Sequence, residues 1–121
     1  MKPENILIDS DGHVKLTDFG LSKDGMYEKG GLTESFCGTS EYLAPEIIKE
    51  KQYGFTVDWY SLGLVIFEML GAMNPFKTGD DNESFVDKMN RILNIDIKMP
   101  SYFSREASDL IKKLLIKSVR T

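Results

Sequence analysis

The chain has 121 residues and a formal net charge of −4, with 41% apolar and 28% charged residues. This apolar content argues against a disordered chain, and the length allows one domain or part of one. The acidic balance argues against nucleic acid and anionic membranes as main partners, because both bind basic surfaces. The most apolar run, residues 62–70, is too short for a membrane segment. The single cysteine, Cys37, excludes an internal disulfide, so a cytoplasmic location is the default expectation.

The first predicted elements form a β-hairpin. Residues 5–9 and 13–18 are short and apolar-rich, and the Asp-Gly pair between them favours a tight turn. The next residues, 19–42, show no periodicity and contain five glycines, which predicts a long irregular loop. Loops of this length inside a compact domain are usually functional or disordered.

Four helices are predicted after this loop. Pro45 suits the first turn of a short helix that ends at about residue 51. A second helix is expected to be capped by Thr56 and to run to about residue 70. This second helix is apolar on nearly all sides, which predicts a central helix buried all round.

The last two predicted helices are amphipathic. Phe85, Met89 and Ile92 mark one face of a helix over residues 83–93. Ser104 is expected to cap the final helix. The apolar face of this helix is expected to contain Ala107, Leu110, Ile111, Leu114 and Leu115. The sequence therefore predicts a mainly α-helical fold with one short β-hairpin.

Three polar side chains near the hairpin suit the binding of a metal and a phosphate. The hairpin is expected to bring Asn5, at its start, near Asp18, at its end. An amide oxygen and a carboxylate together suit Mg²⁺, which shares its coordination shell with phosphate oxygens. Lys2 suits the same phosphate. Taken singly, Asn5 and Asp18 are better explained as turn-favouring residues at the ends of strands.

The combination of motifs is more specific than any one of them. KPEN, DFG and APE occur in the order and approximate spacing of the eukaryotic protein kinases. The segments FCGTSEYLAPE, VDWYSLGLVIFEML and NPF extend the match. Over residues 1–121 the chain resembles part of the C-terminal lobe of a Ser/Thr protein kinase of the AGC group. This resemblance implies a partial α+β kinase lobe, running from the end of the catalytic loop through the activation segment to the following helices, without the small lobe.

The resemblance implies an ATP-dependent transferase that acts on protein Ser/Thr hydroxyls, and it assigns roles to individual residues. Lys2 would contact the transferred phosphate, and Thr39 would hydrogen-bond across to Lys2. Asn5 and Asp18 would hold Mg²⁺ and, with Lys2, the phosphates of ATP. Ser35 falls at the activation-loop phosphosite, which an upstream activating kinase would phosphorylate.

Substrate recognition follows from the same resemblance. Five residues align with substrate-binding positions: Glu4, Phe36, Ser40, Leu43 and Glu68. Because both glutamates align with positions that bind arginine, the enzyme is expected to prefer protein substrates with basic residues upstream of the target. Four residues align with structural positions: Phe19, Gly20, Glu46 and Asp58. Among them, Asp58 would hold the catalytic-loop backbone and Glu46 would pair with an arginine after the last helix.

Departures from the family pattern lead to an expectation about activity. The family's catalytic aspartate would lie two residues before Lys2, and loss of a positioned base costs roughly 10²–10⁴-fold in rate. The C-terminal sequence LLIKSVRT lacks the usual Asp-Pro and places Arg120 two positions early. The chain by itself is therefore expected to be inactive as a kinase. Two alternatives stay open: a non-catalytic truncated kinase that binds substrates or partners, and a degenerate gene fragment.

Overall fold

The computed structural model describes residues 1–17, 40–49 and 54–117. Two 3₁₀ turns, Pro3–Asn5 and Ser40–Tyr42, accompany the regular elements. These elements are, in chain order, β1 (Ile6–Ile8), β2 (Val14–Leu16), α1 (Pro45–Ile48), α2 (Thr56–Gly71), α3 (Phe85–Asn94) and α4 (Arg105–Leu114). The predicted order of a hairpin followed by four helices is confirmed. The described part is mostly helical, with one two-stranded antiparallel sheet.

The hairpin forms where the Asp-Gly signal predicted it. β1 and β2 pair antiparallel, with Ile6 opposite Leu16. The carboxylate of Asp9 accepts a hydrogen bond from the backbone N–H of His13 at 2.8 Å, which closes the turn. Gly12 has a φ of +85°, a conformation that a residue with a Cβ rarely adopts. Interactions between residues close in the chain therefore account for the hairpin.

The hydrophobic core lies among α2, α3 and α4. Its most completely buried apolar side chains come from these helices and from the loop after α2: Leu64, Phe76, Ile92 and Ile111. α2 and α4 approach each other closely because position 63 is a glycine. A Cβ on Gly63 would lie 2.8 Å from the Cβ of Leu114. Burial of apolar side chains between the helices is the main stabilising interaction of this part.

α2 is buried on one face rather than all round. Tyr60 and Leu64 face the core and are almost fully buried, whereas Trp59, Met69 and Leu70 are 54%, 76% and 49% exposed. The expectation of burial on every side is therefore wrong for the described residues. α2 packs against α4 and the 3₁₀ turn Ser40–Tyr42, and none of the described elements covers the opposite face. Within this part of the chain, no helix is long and apolar enough to cross a membrane.

The start of α2 also differs from the prediction. Thr56 was expected to cap this helix but is its first residue, and no side chain caps it. The reason is that Phe55 already has helical backbone angles, with φ −61° and ψ −13°. The N–H of Asp58 bonds to the carbonyl of Phe55 at 3.1 Å, so a tight backbone turn satisfies this donor without a side chain.

The start of α4 agrees with the prediction, and its apolar face agrees in part. Ser104 caps the helix by accepting a hydrogen bond from the N–H of Ala107 at 3.1 Å. Ile111 is fully buried, but Leu110, which was expected on the same face, is 48% exposed. Adjacent helical residues are about 100° apart around the axis, so only one of this pair points at the centre of the core.

Candidate active site

The start of the hairpin holds Asn5 beside the end of β2. The Asn5 carbonyl accepts hydrogen bonds from the N–H of Thr17 at 2.8 Å and from the Thr17 hydroxyl at 3.4 Å. Thr17 directly precedes Asp18 in the chain. Asp18 itself lies outside the described residues, so its pairing with Asn5 around a metal stays a prediction. The hydrogen bonds of Thr17 bring the last described residue of this segment beside Asn5.

The charges of Lys2 and Asp58 both act on the amino group at the start of the chain. Lys2 is half-buried in extended backbone just before the first 3₁₀ turn. Burial lowers the pKa of the Met1 amino group, and the Asp58 carboxylate opposes this change by raising it. Asp58 lies in the first turn of α2, and its role in holding the loop backbone stays a prediction.

The clearest polar cluster surrounds Tyr42. The Tyr42 hydroxyl donates a hydrogen bond to Oε2 of Glu68, and the Tyr42 carbonyl accepts one from the hydroxyl of Ser61 at 2.9 Å. Burial, followed by the contact with Glu68, raises the pKa of Tyr42 well above its ordinary value. The charge of Glu4 makes the smallest contribution to this rise. Glu68, one of the two residues predicted to bind basic side chains, is thus bonded directly to a phenol.

The predicted pocket for the residue after the target is described only in part. Ser40 is fully buried, and its hydroxyl has no hydrogen-bond partner among the described residues. The Ser40 carbonyl accepts the N–H of Leu43 at 3.1 Å, which closes the 3₁₀ turn between them. Phe36, the third expected member, lies outside the described residues. This pocket therefore stays a prediction.

Glu46 lines a cavity of about 350 Å³ next to Tyr60 and Lys113. Burial raises the pKa of Tyr60, and the charge of Glu46 adds to this rise. Arg120, the arginine near the C-terminal end of the sequence, lies outside the described residues. The same holds for four other predicted site residues: Phe19, Gly20, Ser35 and Thr39.

Sequence reasoning missed two residues of the Tyr42 cluster. Tyr42 was noted only as part of a motif, although it contacts Glu68 from 26 positions away. Asn74 stands out in the sequence only as part of the NPF motif, in which an Asn-Pro pair marks a turn. Its side chain is 2% exposed, and its amide opposes the rise in the pKa of Tyr42. The sequence could not show that the Asn74 amide is buried. An Asn-Pro pair marks a turn in the same way whether its side chains are buried or exposed.

Comparisons with known proteins agree with the motifs. A family model described as "Protein kinase domain" matches residues 1–121. Ribosomal protein S6 kinase beta of Caenorhabditis elegans is 50% identical over 121 residues, covering 100% of this chain and 21% of that protein. Protein kinase C of Drosophila melanogaster is 43% identical over 118 residues, covering 98% and 15%. cAMP-dependent protein kinase type 3 of Saccharomyces cerevisiae is 40% identical over 119 residues, covering 98% and 28%.

The matches cover almost all of this chain but only a small part of each relative. The chain is covered almost from end to end, but it spans only 15% to 28% of the length of these three proteins. Identities of 40% to 50% over this length agree with the order of the KPEN, DFG and APE motifs. The chain therefore belongs to the protein kinase family, among serine/threonine kinases of the AGC type.

Proposed function

We propose that this protein transfers the γ-phosphate of ATP to serine or threonine hydroxyls of protein substrates that carry basic residues nearby. Membership of the kinase family supports the reaction class. The observation that supports the substrate preference is the hydrogen bond between Tyr42 and Glu68, one of the two glutamates assigned to basic side chains. In this proposal, residues 1–121 are part of the C-terminal lobe of a kinase domain, and the protein is cytoplasmic.

The donor set at the hairpin fits Mg²⁺ and ATP. Mg²⁺ prefers oxygen ligands, and Asn5 and Asp18 supply an amide oxygen and a carboxylate. Lys2 supplies a cation for the phosphate oxygens. When bound, Mg²⁺ and ATP supply the transferable phosphate and part of the charge that neutralises it. The hydrogen bonds between Thr17 and Asn5, at 2.8 and 3.4 Å, hold the backbone of one predicted ligand in place.

The cluster around Tyr42 has the chemistry of a site for a basic side chain. Tyr42 donates to Oε2 of Glu68, and no described residue donates to Oε1. An arginine or lysine of the substrate can form a charge-assisted hydrogen bond with that oxygen. Glu4 is exposed and is the second glutamate that the resemblance assigns to basic side chains. Complementary charge of this kind favours peptides with upstream basic residues over neutral ones.

The remaining roles inferred from the resemblance belong to the same proposal. Thr39 orients Lys2, and Ser35 is phosphorylated by an upstream kinase. The pocket for the residue after the target is formed by Phe36, Ser40 and Leu43. Four residues support the site: Phe19, Gly20, Glu46 and Asp58.

The test is Mg²⁺- and ATP-dependent transfer of phosphate to a serine peptide with an upstream arginine. Transfer that disappears in Asp18→Ala, but persists in the control Asp109→Ala on the exposed side of α4, supports the proposal. Transfer that persists in Asp18→Ala contradicts the assigned metal site. Equal rates for peptides with and without the arginine contradict the basic preference.

The same assay separates the main alternative, a kinase relative that binds substrates without catalysis. Binding of the arginine peptide without any transfer favours that alternative. The exposed apolar side chains of α2, Trp59 and Met69, are compatible with it, because exposed apolar surface is typical of contacts with other proteins.

A further inference from the structure

We propose that Lys88 determines part of the substrate specificity by occupying Glu41, an acidic residue of the 3₁₀ turn Ser40–Tyr42. The ammonium group of Lys88 neutralises this carboxylate and withholds it from the basic side chains of substrates. This inference rests on the proposed preference for basic substrates. It concerns two residues to which the resemblance assigns no role.

Lys88 and Glu41 are 47 positions apart in the chain and meet as an ion pair. Nζ of Lys88 donates a hydrogen bond to Oε1 of Glu41 at 3.3 Å. The side chains of Lys88 and Glu41 are 22% and 19% exposed. The attraction between them is therefore screened less than that between two fully exposed charges. The exposed fifth of the Glu41 side chain also leaves the carboxylate within reach of a cation from solution.

Helix α3 holds Lys88 at the edge of its buried face. Met89 and Ile92 of this helix are buried in the core. Residues three or four positions apart lie on the same side of a helix, so Lys88, four positions before Ile92, borders this face. α3 also packs against α1, which follows the 3₁₀ turn Ser40–Tyr42 closely in the chain. This packing brings the turn within reach of the Lys88 side chain.

Glu41 lies between the two predicted substrate sites. Ser40, the residue before it, belongs to the predicted pocket for the residue after the target. Tyr42, the residue after it, bonds to Glu68, which is assigned to upstream basic residues. A turn of three residues rises about 6 Å, roughly the length of two residues of an extended peptide. A substrate that reaches both sites therefore passes close to Glu41.

Without Lys88, Glu41 would be a further site for a basic side chain. A carboxylate accepts charge-assisted hydrogen bonds from arginine or lysine. Among the described residues, only Lys88 donates such a bond to Glu41. A substrate cation at the same carboxylate would lie close to the Lys88 ammonium group, and the two positive charges would repel each other. Lys88 therefore acts as an internal counter-ion and leaves Glu68 and Glu4 to bind the substrate.

A purely structural role for this ion pair makes a different prediction. In that case the pair only ties the turn to α3, and its loss weakens the binding of all substrates by the same factor. In the proposed role, loss of the ammonium group strengthens the binding of substrates that carry an additional basic residue. Lys88→Met separates the two roles, because methionine keeps an unbranched, flexible side chain without the charge.

The experiment measures the fluorescence anisotropy of labelled peptides with the full chain. All peptides carry one arginine upstream of the target serine. At one further position, varied along the series, each carries either a second arginine or its neutral isostere citrulline. The quantity of interest is the dissociation constant of the citrulline peptide divided by that of the arginine peptide. We expect Lys88→Met to raise this ratio by about 3- to 10-fold at one position or more, the range of one partly exposed charge-assisted hydrogen bond.

Further variants test whether this gain requires Glu41. When Glu41→Gln is added to Lys88→Met, the ratio should return to within about twofold of its original value, because the carboxylate is absent. Lys88→Arg, which keeps the charge, should leave the ratio unchanged. The matched control Lys113→Met removes an exposed ion pair with Asp109 on α4 and should also leave it unchanged. Circular-dichroism melting shows whether each variant is folded, and Lys88→Gln replaces Lys88→Met if that variant does not fold.

The outcomes distinguish this inference from the function on which it rests. If the unmodified chain binds arginine peptides no better than peptides in which citrulline replaces every arginine, the proposed basic site is wrong and the inference falls with it. If the unmodified chain discriminates and Lys88→Met raises no ratio, the basic site stands and the role of Lys88 is wrong. A gain that persists without the Glu41 carboxylate also overturns the inference. A gain that requires this carboxylate supports both.

Discussion

The hairpin and the helical part of this chain are stabilised by different interactions. The hairpin strands have three residues each, and four of their apolar side chains are between 46% and 73% exposed: Leu7, Ile8, Val14 and Leu16. In the helical part, Leu64, Ile92 and Ile111 are completely buried. The hairpin therefore depends on backbone hydrogen bonds and its turn, and the helices depend on apolar burial.

This difference places the predicted metal and phosphate ligands apart from most of the buried apolar surface. The predicted ligands Asn5 and Lys2 lie on the part with little buried surface, whereas Glu68 lies on the central helix α2. Functional groups on short segments that a packed scaffold positions are a common arrangement. Substitutions of buried side chains in the helical part should therefore destabilise the chain, and substitutions in the hairpin should act locally. Four predictions test this comparison, in order of decreasing effect.

The largest effect is expected from the same substitution made in the two parts. Ile111→Ala removes a fully buried side chain between α2 and α4 and should lower the free energy of unfolding by about 2–5 kcal/mol. Ile8→Ala, at a side chain that is 73% exposed, should lower it by less than about 0.5 kcal/mol. Urea unfolding followed by circular dichroism measures both. Equal losses would show that the two parts do not differ.

The second-largest loss of stability is expected where α2 closely contacts α4. Gly63→Ala places a methyl group 2.8 Å from side-chain atoms of Leu114 and Leu115, so the helices must move apart. We expect a loss of about 1–3 kcal/mol in the free energy of unfolding. The matched control is Gly54→Ala, where an added Cβ meets no atom within 4 Å. A neutral Gly63→Ala would mean that α4 is not packed against α2 as described.

The third prediction concerns the free energy of unfolding at alkaline pH, which should depend on Tyr60 in the helical part. Burial, and then the charge of Glu46, raise the pKa of Tyr60 from its ordinary value of 10.0. Above about pH 10 the unfolded chain loses this proton and the folded chain keeps it. The free energy of unfolding should therefore fall as pH rises, by up to about 1.4 kcal/mol per pH unit for this group.

Tyr60→Phe removes this contribution and should flatten the alkaline decline. At neutral pH the same variant should be neutral or slightly stabilising, because the buried hydroxyl has no partner among the described residues. Thermal melting between pH 8 and pH 11, at roughly half-unit steps, compares the variant with Tyr102→Phe, whose side chain is 70% exposed. Identical slopes for all three proteins would contradict the raised pKa.

The smallest effect is expected in the hairpin turn. Asp9→Ala removes the acceptor for the N–H groups of Asp11 and His13, a local loss of about 0.5–1.5 kcal/mol. Hydrogen exchange of the Thr17 amide, which bonds to Asn5, should become faster while the melting temperature of the helices stays constant. Asp11→Ala, at an exposed position, serves as the control. A fall in the melting temperature as large as that of Ile111→Ala would show that the hairpin is part of the same cooperative unit.

Sequence patterns that span only a few neighbouring residues were sufficient to predict much of the fold. The Asp-Gly turn, the Ser104 cap and the amphipathic pattern of Phe85, Met89 and Ile92 were predicted correctly, because each depends on neighbours in the chain. The errors concerned features that depend on distant partners. Leu110 is exposed because the core lies on the side of Ile111, and the start of α2 is satisfied by backbone bonds around Phe55 rather than by a Thr56 cap.

The same contrast between local sequence patterns and contacts of distant residues applies to the candidate site. The order and spacing of KPEN, DFG and APE determined the family, because these short motifs carry the chemistry of phosphate transfer in a fixed sequence. The sequence also identified Glu4 and Glu68 as candidates for binding basic residues. Only the tertiary structure showed that Tyr42 bonds to Glu68 and that the side chain of Asn74 is buried. The hydrogen-bond partners of a side chain are set by the packing of segments far apart in the chain, and no local pattern encodes that packing.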